Sequence, residues 1–343
     1  MTEAMTLSLA SLKQYHALLF SVFVNMLLTL SIWIFVYSMK TDENLMQSLI
    51  FQSSETQNEL LNASLYGLKS VIGIIIGSVV VATLVLFNFK KTIYCWFYCG
   101  SLLLLYGLSG NIIYDLLCLS NSLRDSPHLP YIVSILTILY GSVGCLAYFT
   151  KLLPNFVLKL YIICNASLVS NTYLRSTHRY ALWFFLFFIS AWDAFAVMSR
   201  YGPLRFLQER AGEYSDNFVR VLMYSCDTDD SSDKDSKQST TKKRLKAGKE
   251  YARTADDALN DGSQRLGVGD YVFYGVLAGA SATNGSILAT SVCILGVLIG
   301  LYLTMCYPCD HSETLPALPL PILLGTLGHL VVIILQHLWS LVF

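Results

Sequence analysis

Charged residues are scarce in this sequence. They make up 13% of the 343 residues, whereas 54% are hydrophobic, and a water-soluble domain needs more charged surface than that. The formal net charge is zero, which excludes a bulk electrostatic attraction to nucleic acid. No internal repeat is evident, which argues against a secondary transporter built from paired halves. The apolar residues come in long blocks, so we expect a lipid bilayer around most of the chain.

These apolar blocks supply nine candidate transmembrane helices, since about 20 residues cross the hydrocarbon core. The seventh block is short and rich in small residues, and we expect it to gain length from Gly267 onward. The predicted fold class is an all-α integral membrane protein with nine transmembrane helices. The predicted spans are Leu18–Tyr37, Val71–Phe89, Tyr94–Leu117, Tyr131–Phe149, Phe156–Tyr173, Tyr180–Met198, Tyr271–Ala282, Ile287–Tyr307 and Leu318–Val342.

Lys and Arg residues predict the orientation and the division of the chain. With the N-terminus in the cytosol, most of the 23 basic residues fall in cytosolic segments, and the C-terminus is then lumenal. Residues 1–198 form an N-terminal membrane part, 199–265 a cytosolic loop, and 266–343 a C-terminal membrane part. The polar middle of the loop cannot bury a core and is expected to be disordered. Asn62 begins an Asn-Ala-Ser sequon on the predicted lumenal side, so it is a candidate glycosylation site.

Two aspartates lie in predicted spans, where an ionisable side chain is costly and suggests function. Asp193 lies in the sixth span and Asp270 at the cytosolic mouth of the seventh. Because the charged loop joins these two ends, we expect both carboxyl groups at a similar depth. Two close carboxyl groups can share a proton, so that one activates water while the other binds a carbonyl oxygen. The alternative is that each aspartate caps a helix or pairs with a cation.

Two further motifs indicate a cavity and a surface for a peptide substrate. The prolines of Pro316-Ala317-Leu318-Pro319 break the helix at the start of the last span. Non-helical backbone at membrane depth must line a cavity or pack in protein, although a simple helix-entry pair is the alternative. An extended strand near Gly267-Val268-Gly269 could pair with an unwound substrate. We interpret the 21 Tyr and 18 Phe residues as bilayer and packing material, and we predict no metal ligand and no cofactor.

Three motifs, in this order, resemble those of the presenilin family. They are Trp192-Asp193, Gly267-Val268-Gly269-Asp270 and Pro316-Ala317-Leu318-Pro319. The resemblance implies an intramembrane aspartyl protease in which Asp193 and Asp270 are catalytic, while the glycine and proline motifs bind substrate. It also implies the catalytic subunit of a γ-secretase-like complex, with nicastrin-like, anterior-pharynx-defective-type and presenilin-enhancer-type subunits. The substrates would be transmembrane proteins, and a homodimer is compatible with the resemblance.

Two other segments are similar to a divergent nematode branch of this family that acts in spermatogenesis. They are Ser21–Ile34 and Ala255–Gly262. This likeness implies endoplasmic reticulum and Golgi membranes, including the membranous organelles of sperm. Signal peptide peptidases share the two aspartates, but their last motif differs and their orientation is inverted. The alternative function is a non-catalytic trafficking scaffold or an ion-leak protein with the same fold.

Overall fold

A computed structural model describes residues 2–37, 59–87, 89–120, 124, 126–150, 152–198, 223–225, 265–283, 286–306 and 316–342. In these ranges nine helices follow one another, as the sequence predicts. Helix α1 is Thr2–Ile32, extended by the π-helical turn Trp33–Tyr37, and α2 is Glu59–Leu86. Helix α3 consists of Lys90–Leu102, the π-helical Leu103–Leu108 and Ser109–Leu117. The others are α4 Leu129–Phe149, α5 Asn155–Ser176, α6 Arg179–Met198, α7 Val268–Ala282, α8 Ile287–Cys306 and α9 Pro319–Val342.

Among the described residues, seven of these helices are long and apolar enough to cross a membrane by length and composition. Helices α5 and α7 are the two that fall short. Helix α5 has 22 residues but carries a row of buried polar side chains, and α7 has only 15 residues. Both are surrounded by other helices, so they can be more polar or shorter than a helix that faces lipid. The chain is thus a multi-pass membrane protein.

Helix α7 lies at the centre of the bundle. Its side chains from Tyr271 to Ser281 are nearly all buried, and it packs against α1, α5 and α8. Glycine permits the close approach to α5: a Cβ on Gly275 would lie 2.5 Å from Oγ of Ser170, and one on Gly279 would overlap Leu174. Helix α7 is therefore held on several sides by protein.

Hydrogen bonds from α1 and α5 fix the first turns of α7. The Tyr271 hydroxyl is hydrogen-bonded to Oγ of Ser21 at 2.6 Å, and Asn25 donates to the Tyr271 carbonyl at 2.7 Å. Ser170 on α5 donates to the Val272 carbonyl at 2.8 Å. In a low-dielectric interior such bonds set both the depth and the rotation of a helix. They position the turn that carries Asp270.

Helices α8 and α9 touch through their backbones. A Cβ on Gly296 would lie 2.7 Å from the carbonyl oxygen of Leu324, and one on Gly300 would lie 2.6 Å from Cα of Pro321. Small residues allow this approach, which is a common way for membrane helices to pack. The contact at Gly300 is near the start of α9, so it holds in place the segment that precedes α9.

An ion pair joins helix ends at the opposite side of the bundle from Asp270. Asp115 on α3 is buried and accepts hydrogen bonds from Arg175 on α5 at 2.8 Å and from the Tyr37 hydroxyl at 3.1 Å. The guanidinium also lies over the Tyr37 ring, 5.6 Å from its centroid. A charge pair with an added hydrogen bond is the arrangement that lets a carboxylate be buried. Asp115 therefore has a structural partner.

Candidate active site

The structure brings Asp193 and Asp270 together. Asp193 lies near the end of α6, and Asp270 lies in the first turn of α7. Their carboxyl groups are close enough to interact electrostatically, and both residues are half-buried. Two antiparallel helices, joined by the long segment between them, thus present two carboxyl groups to one place. This is the pairing that the sequence could only suggest.

Asp270 lies where a helix-capping side chain would lie, which is the alternative that the sequence leaves open. It is the third residue of α7, and its carboxyl group lies beside Gly267, the N-cap residue. From this position a side chain can reach back to the N-cap amide, as in a capping box. A Cβ on Gly267 would lie 3.2 Å from Oδ2 of Asp270. The glycine therefore leaves room for the carboxyl group.

A short hairpin leads into this turn. Strand β1, Met223–Ser225, pairs antiparallel with strand β2, Arg265–Gly267, with Tyr224 opposite Leu266. The extended segment predicted near Gly267–Gly269 is thus displaced toward the N-terminus, because Val268 and Gly269 already belong to α7. Asp270 in the first turn favours a helix start at this point, because a carboxylate stabilises a helix N-terminus. The rest of the predicted 199–265 loop, apart from 223–225 and 265, lies outside the described residues.

The proline motif lies directly against Asp193. Pro316, Ala317 and Leu318 are non-helical, and α9 begins at Pro319. The Leu318 N–H donates to Oδ2 of Asp193 at 3.2 Å. The Ala317 carbonyl accepts from the Tyr274 hydroxyl at 2.7 Å. The motif is therefore a short stretch of non-helical backbone whose polar groups bind Asp193 and Tyr274.

Tyr274 is the residue that sequence reasoning missed, because tyrosines were interpreted as packing material. It is fully buried and within electrostatic reach of both carboxyl groups. The available signal was its spacing: it follows Asp270 by one helical turn and so shares its face of α7. A hydroxyl on that face is a hydrogen-bond donor beside the aspartates.

The remaining predicted site residue lies far from this group. Asn62 is half-buried in the first turns of α2, where Ser64 of the sequon donates to the Leu61 carbonyl at 2.7 Å. Glycosylation there stays a prediction. Within the described ranges, no group of three or more His, Cys, Asp or Glu side chains is arranged to hold a metal ion.

Comparison with known proteins gives the same family throughout. The presenilin family model matches residues 10–244 and 227–338. Presenilin spe-4 of Caenorhabditis elegans is 26% identical, over 92% of this chain and 94% of that protein. Presenilin sel-12 of the same organism is 27% identical, over 70% of this chain and 66% of that protein.

Among solved structures, a presenilin family intramembrane aspartate protease is 16% identical. The match covers 90% of this chain and 95% of the chain in that structure, with a TM-score of 0.48. The family assignment rests on the sequence model, which spans nearly the whole chain. The chain belongs to the presenilin family.

Proposed function

We propose that this chain is an intramembrane aspartyl endopeptidase that cleaves single-span membrane proteins, with Asp193 and Asp270 as its catalytic pair. The observation that carries the proposal is the meeting of two carboxyl groups from α6 and α7 inside a bundle of membrane helices. The cost of placing two ionisable groups in such surroundings is most easily understood if they perform chemistry. Membership of the presenilin family supports the same activity.

The proposed reaction uses the two carboxyl groups in different protonation states. The ionised group takes a proton from water, and the water oxygen forms a bond to the carbonyl carbon of the substrate. The protonated group donates to the carbonyl oxygen as charge develops there. The tetrahedral intermediate then collapses, the C–N bond breaks, and a proton passes to the leaving amine. Titration belongs to the pair rather than to either residue.

Substrate binding is proposed at β2 and the proline motif. A transmembrane helix has its peptide groups in internal hydrogen bonds and must unwind before it can be cut. Adding the unwound segment as a strand beside β2 would replace the lost bonds. Strand β2 ends at Gly267, beside Asp270, so a peptide aligned with it would pass the carboxyl groups. Gly267, Val268, Gly269 and Pro316-Ala317-Leu318-Pro319 are the proposed substrate-binding residues.

The cellular setting is proposed from the family alone. The chain would be the catalytic subunit of a γ-secretase-like complex, with nicastrin-like, anterior-pharynx-defective-type and presenilin-enhancer-type subunits. Its N-terminus would be cytosolic and its C-terminus lumenal. Likeness to presenilin spe-4 supports endoplasmic reticulum and Golgi-derived membranes, including those of developing sperm.

The test is cleavage of a single-span membrane stub by membranes that contain this chain and the partner subunits. Wild type is compared with Asp270→Asn at equal protein level, because asparagine preserves the shape of the side chain but cannot exchange the proton. We expect the cut fragment from wild type only. Equal amounts of fragment from both proteins would overturn the proposal.

A further inference from the structure

The peptide group between Ala317 and Leu318 is hydrogen-bonded to both of the helices that carry the aspartates. The N–H of Leu318 donates to Asp193 on α6, and the carbonyl of Ala317 accepts from Tyr274 on α7. These are the two polar edges of the same peptide unit, which is planar and rigid. A shift at one edge therefore moves the other.

The hydroxyl of Tyr274 is placed to control this peptide. Tyr274 is fully buried, so its ring has little freedom to move, and it lies one turn beyond Asp270 on the same face of α7. Its hydroxyl donates a hydrogen bond to the Ala317 carbonyl oxygen at 2.7 Å. The same helix thus carries Asp270 and fixes the backbone that binds the carboxyl group of Asp193.

We propose that Tyr274 is a positioning residue for the aspartate pair, acting on Asp193 through the Ala317–Leu318 peptide. The proposal rests on the proposed function, because the positioned group is one of the two proposed catalytic carboxyl groups. Without the hydroxyl, the Ala317 carbonyl loses its donor and the peptide is free to rotate. The Leu318 N–H then leaves Oδ2 of Asp193. Small displacements of a catalytic group lower the rate of chemistry far more than they lower binding.

Tyr148 on α4 provides a matched control. Its side chain is also buried, and its hydroxyl accepts a hydrogen bond from Asn165 on α5 at 2.6 Å. Neither of these helices carries a residue of the candidate site. Tyr148→Phe and Tyr274→Phe each delete a buried hydroxyl and the hydrogen bond described for it. Only the second deletion touches the peptide that binds Asp193. A general loss of packing would affect the two variants alike.

The experiment measures two properties of wild type, Tyr274→Phe and Tyr148→Phe in the assembled membrane preparation. The first is cleavage of the single-span stub, resolved into kcat and KM. The second is hydrogen exchange of the backbone, followed by mass spectrometry on a peptide that contains residues 316–320. Pro316 and Pro319 have no amide hydrogen, so this short segment reports mainly on Ala317, Leu318 and Leu320. Exchange does not require proteolytic activity.

We expect Tyr274→Phe to lower kcat by about tenfold or more while KM stays within about twofold. We also expect the 316–320 segment to exchange about tenfold faster, since an amide that loses its acceptor loses its protection. Tyr148→Phe should match wild type in both measurements. Wild-type kcat and wild-type exchange in Tyr274→Phe would overturn the proposal, as would equal losses in both variants.

The two measurements also separate this proposal from the proposed function. If Tyr274→Phe speeds exchange but wild type shows no cleavage that depends on Asp270, the link from Tyr274 through the Ala317–Leu318 peptide is supported and the proposed protease function is contradicted. If cleavage depends on Asp270 but Tyr274→Phe leaves kcat and exchange unchanged, the protease function is supported and the positioning role of Tyr274 is contradicted.

Discussion

Gly267 packs against the carboxyl group of Asp270: a Cβ at this glycine would lie 3.2 Å from Oδ2. The N-cap residue and the proposed catalytic residue are therefore in direct contact. The backbone of Gly267 is extended, with φ −65° and ψ 139°, which any residue can adopt. Glycine is needed at position 267 because a side chain there would crowd the carboxyl group of Asp270, and not because of the backbone conformation.

Gly267→Ala should therefore impair catalysis without impairing folding. The added methyl group displaces the carboxyl group by a few tenths of an ångström, and we expect cleavage to fall by about tenfold. Protein level and thermal stability should stay near wild type. Gly77→Ala is the control, because a Cβ there meets nothing within 4 Å. Unchanged cleavage in Gly267→Ala would show that the carboxyl group can move freely.

Gly275→Ala should have the opposite profile, with a large effect on stability. Its Cβ would lie 2.5 Å from Oγ of Ser170 and 2.9 Å from Oγ1 of Thr29. Overpacking of this kind costs about 1–3 kcal/mol. We expect a lower unfolding temperature in detergent, measured by thermal unfolding beside Gly77→Ala. A wild-type unfolding temperature would mean that α5 can move away from α7 at little cost.

Asp115→Ala separates the structural aspartate from the proposed catalytic ones. Its loss removes the ion pair with Arg175 and the bond from Tyr37. We expect a loss of about 1–3 kcal/mol of stability, since partners of a buried carboxylate are left unpaired. At equal amounts of folded protein, the rate of cleavage should equal that of wild type. A complete loss of cleavage in well-folded Asp115→Ala would contradict a purely structural role for Asp115.

Gly300→Ala links helix packing to the site. A Cβ at Gly300 would lie 2.6 Å from Cα of Pro321 and would meet backbone that cannot rotate aside. The start of α9 must shift, and with it Leu318, whose N–H binds Asp193. We expect cleavage to fall by about tenfold and the 316–320 segment to exchange faster. Exchange at the wild-type rate would mean that α8 moves instead of α9.

The helices could be predicted from the sequence because the bilayer imposes a length and an apolar composition on each span. The seventh span could be predicted only by adding the residues that flank its apolar block. A helix of 15 residues that is surrounded by other helices does not need the length that crosses the bilayer. The sequence predicts a similar membrane depth for Asp193 and Asp270, and it only suggests their pairing. Depth alone does not give the rotation of a helix, which here is set by hydrogen bonds from Asn25 and Ser170.

Other features could not be predicted because they depend on tertiary contacts. Strand β1 has three residues in a polar loop, too few for an alternating pattern. The role of Tyr274 depends on where the Ala317 carbonyl lies, and nothing in the sequence joins residues so far apart. For the same reason the partner of Asp115 was not foreseen: Arg175 lies on another helix.

The shared catalytic role of Asp193 and Asp270 is tested most directly by stub cleavage with wild type, Asp193→Asn, Asp270→Asn and the double variant, each at an equal amount of folded protein. Residues that act as one catalytic unit are not additive. We therefore expect each single variant to be as inactive as the double variant. Substantial cleavage by either single variant, or a double variant much weaker than both, would contradict a shared role for the two carboxyl groups.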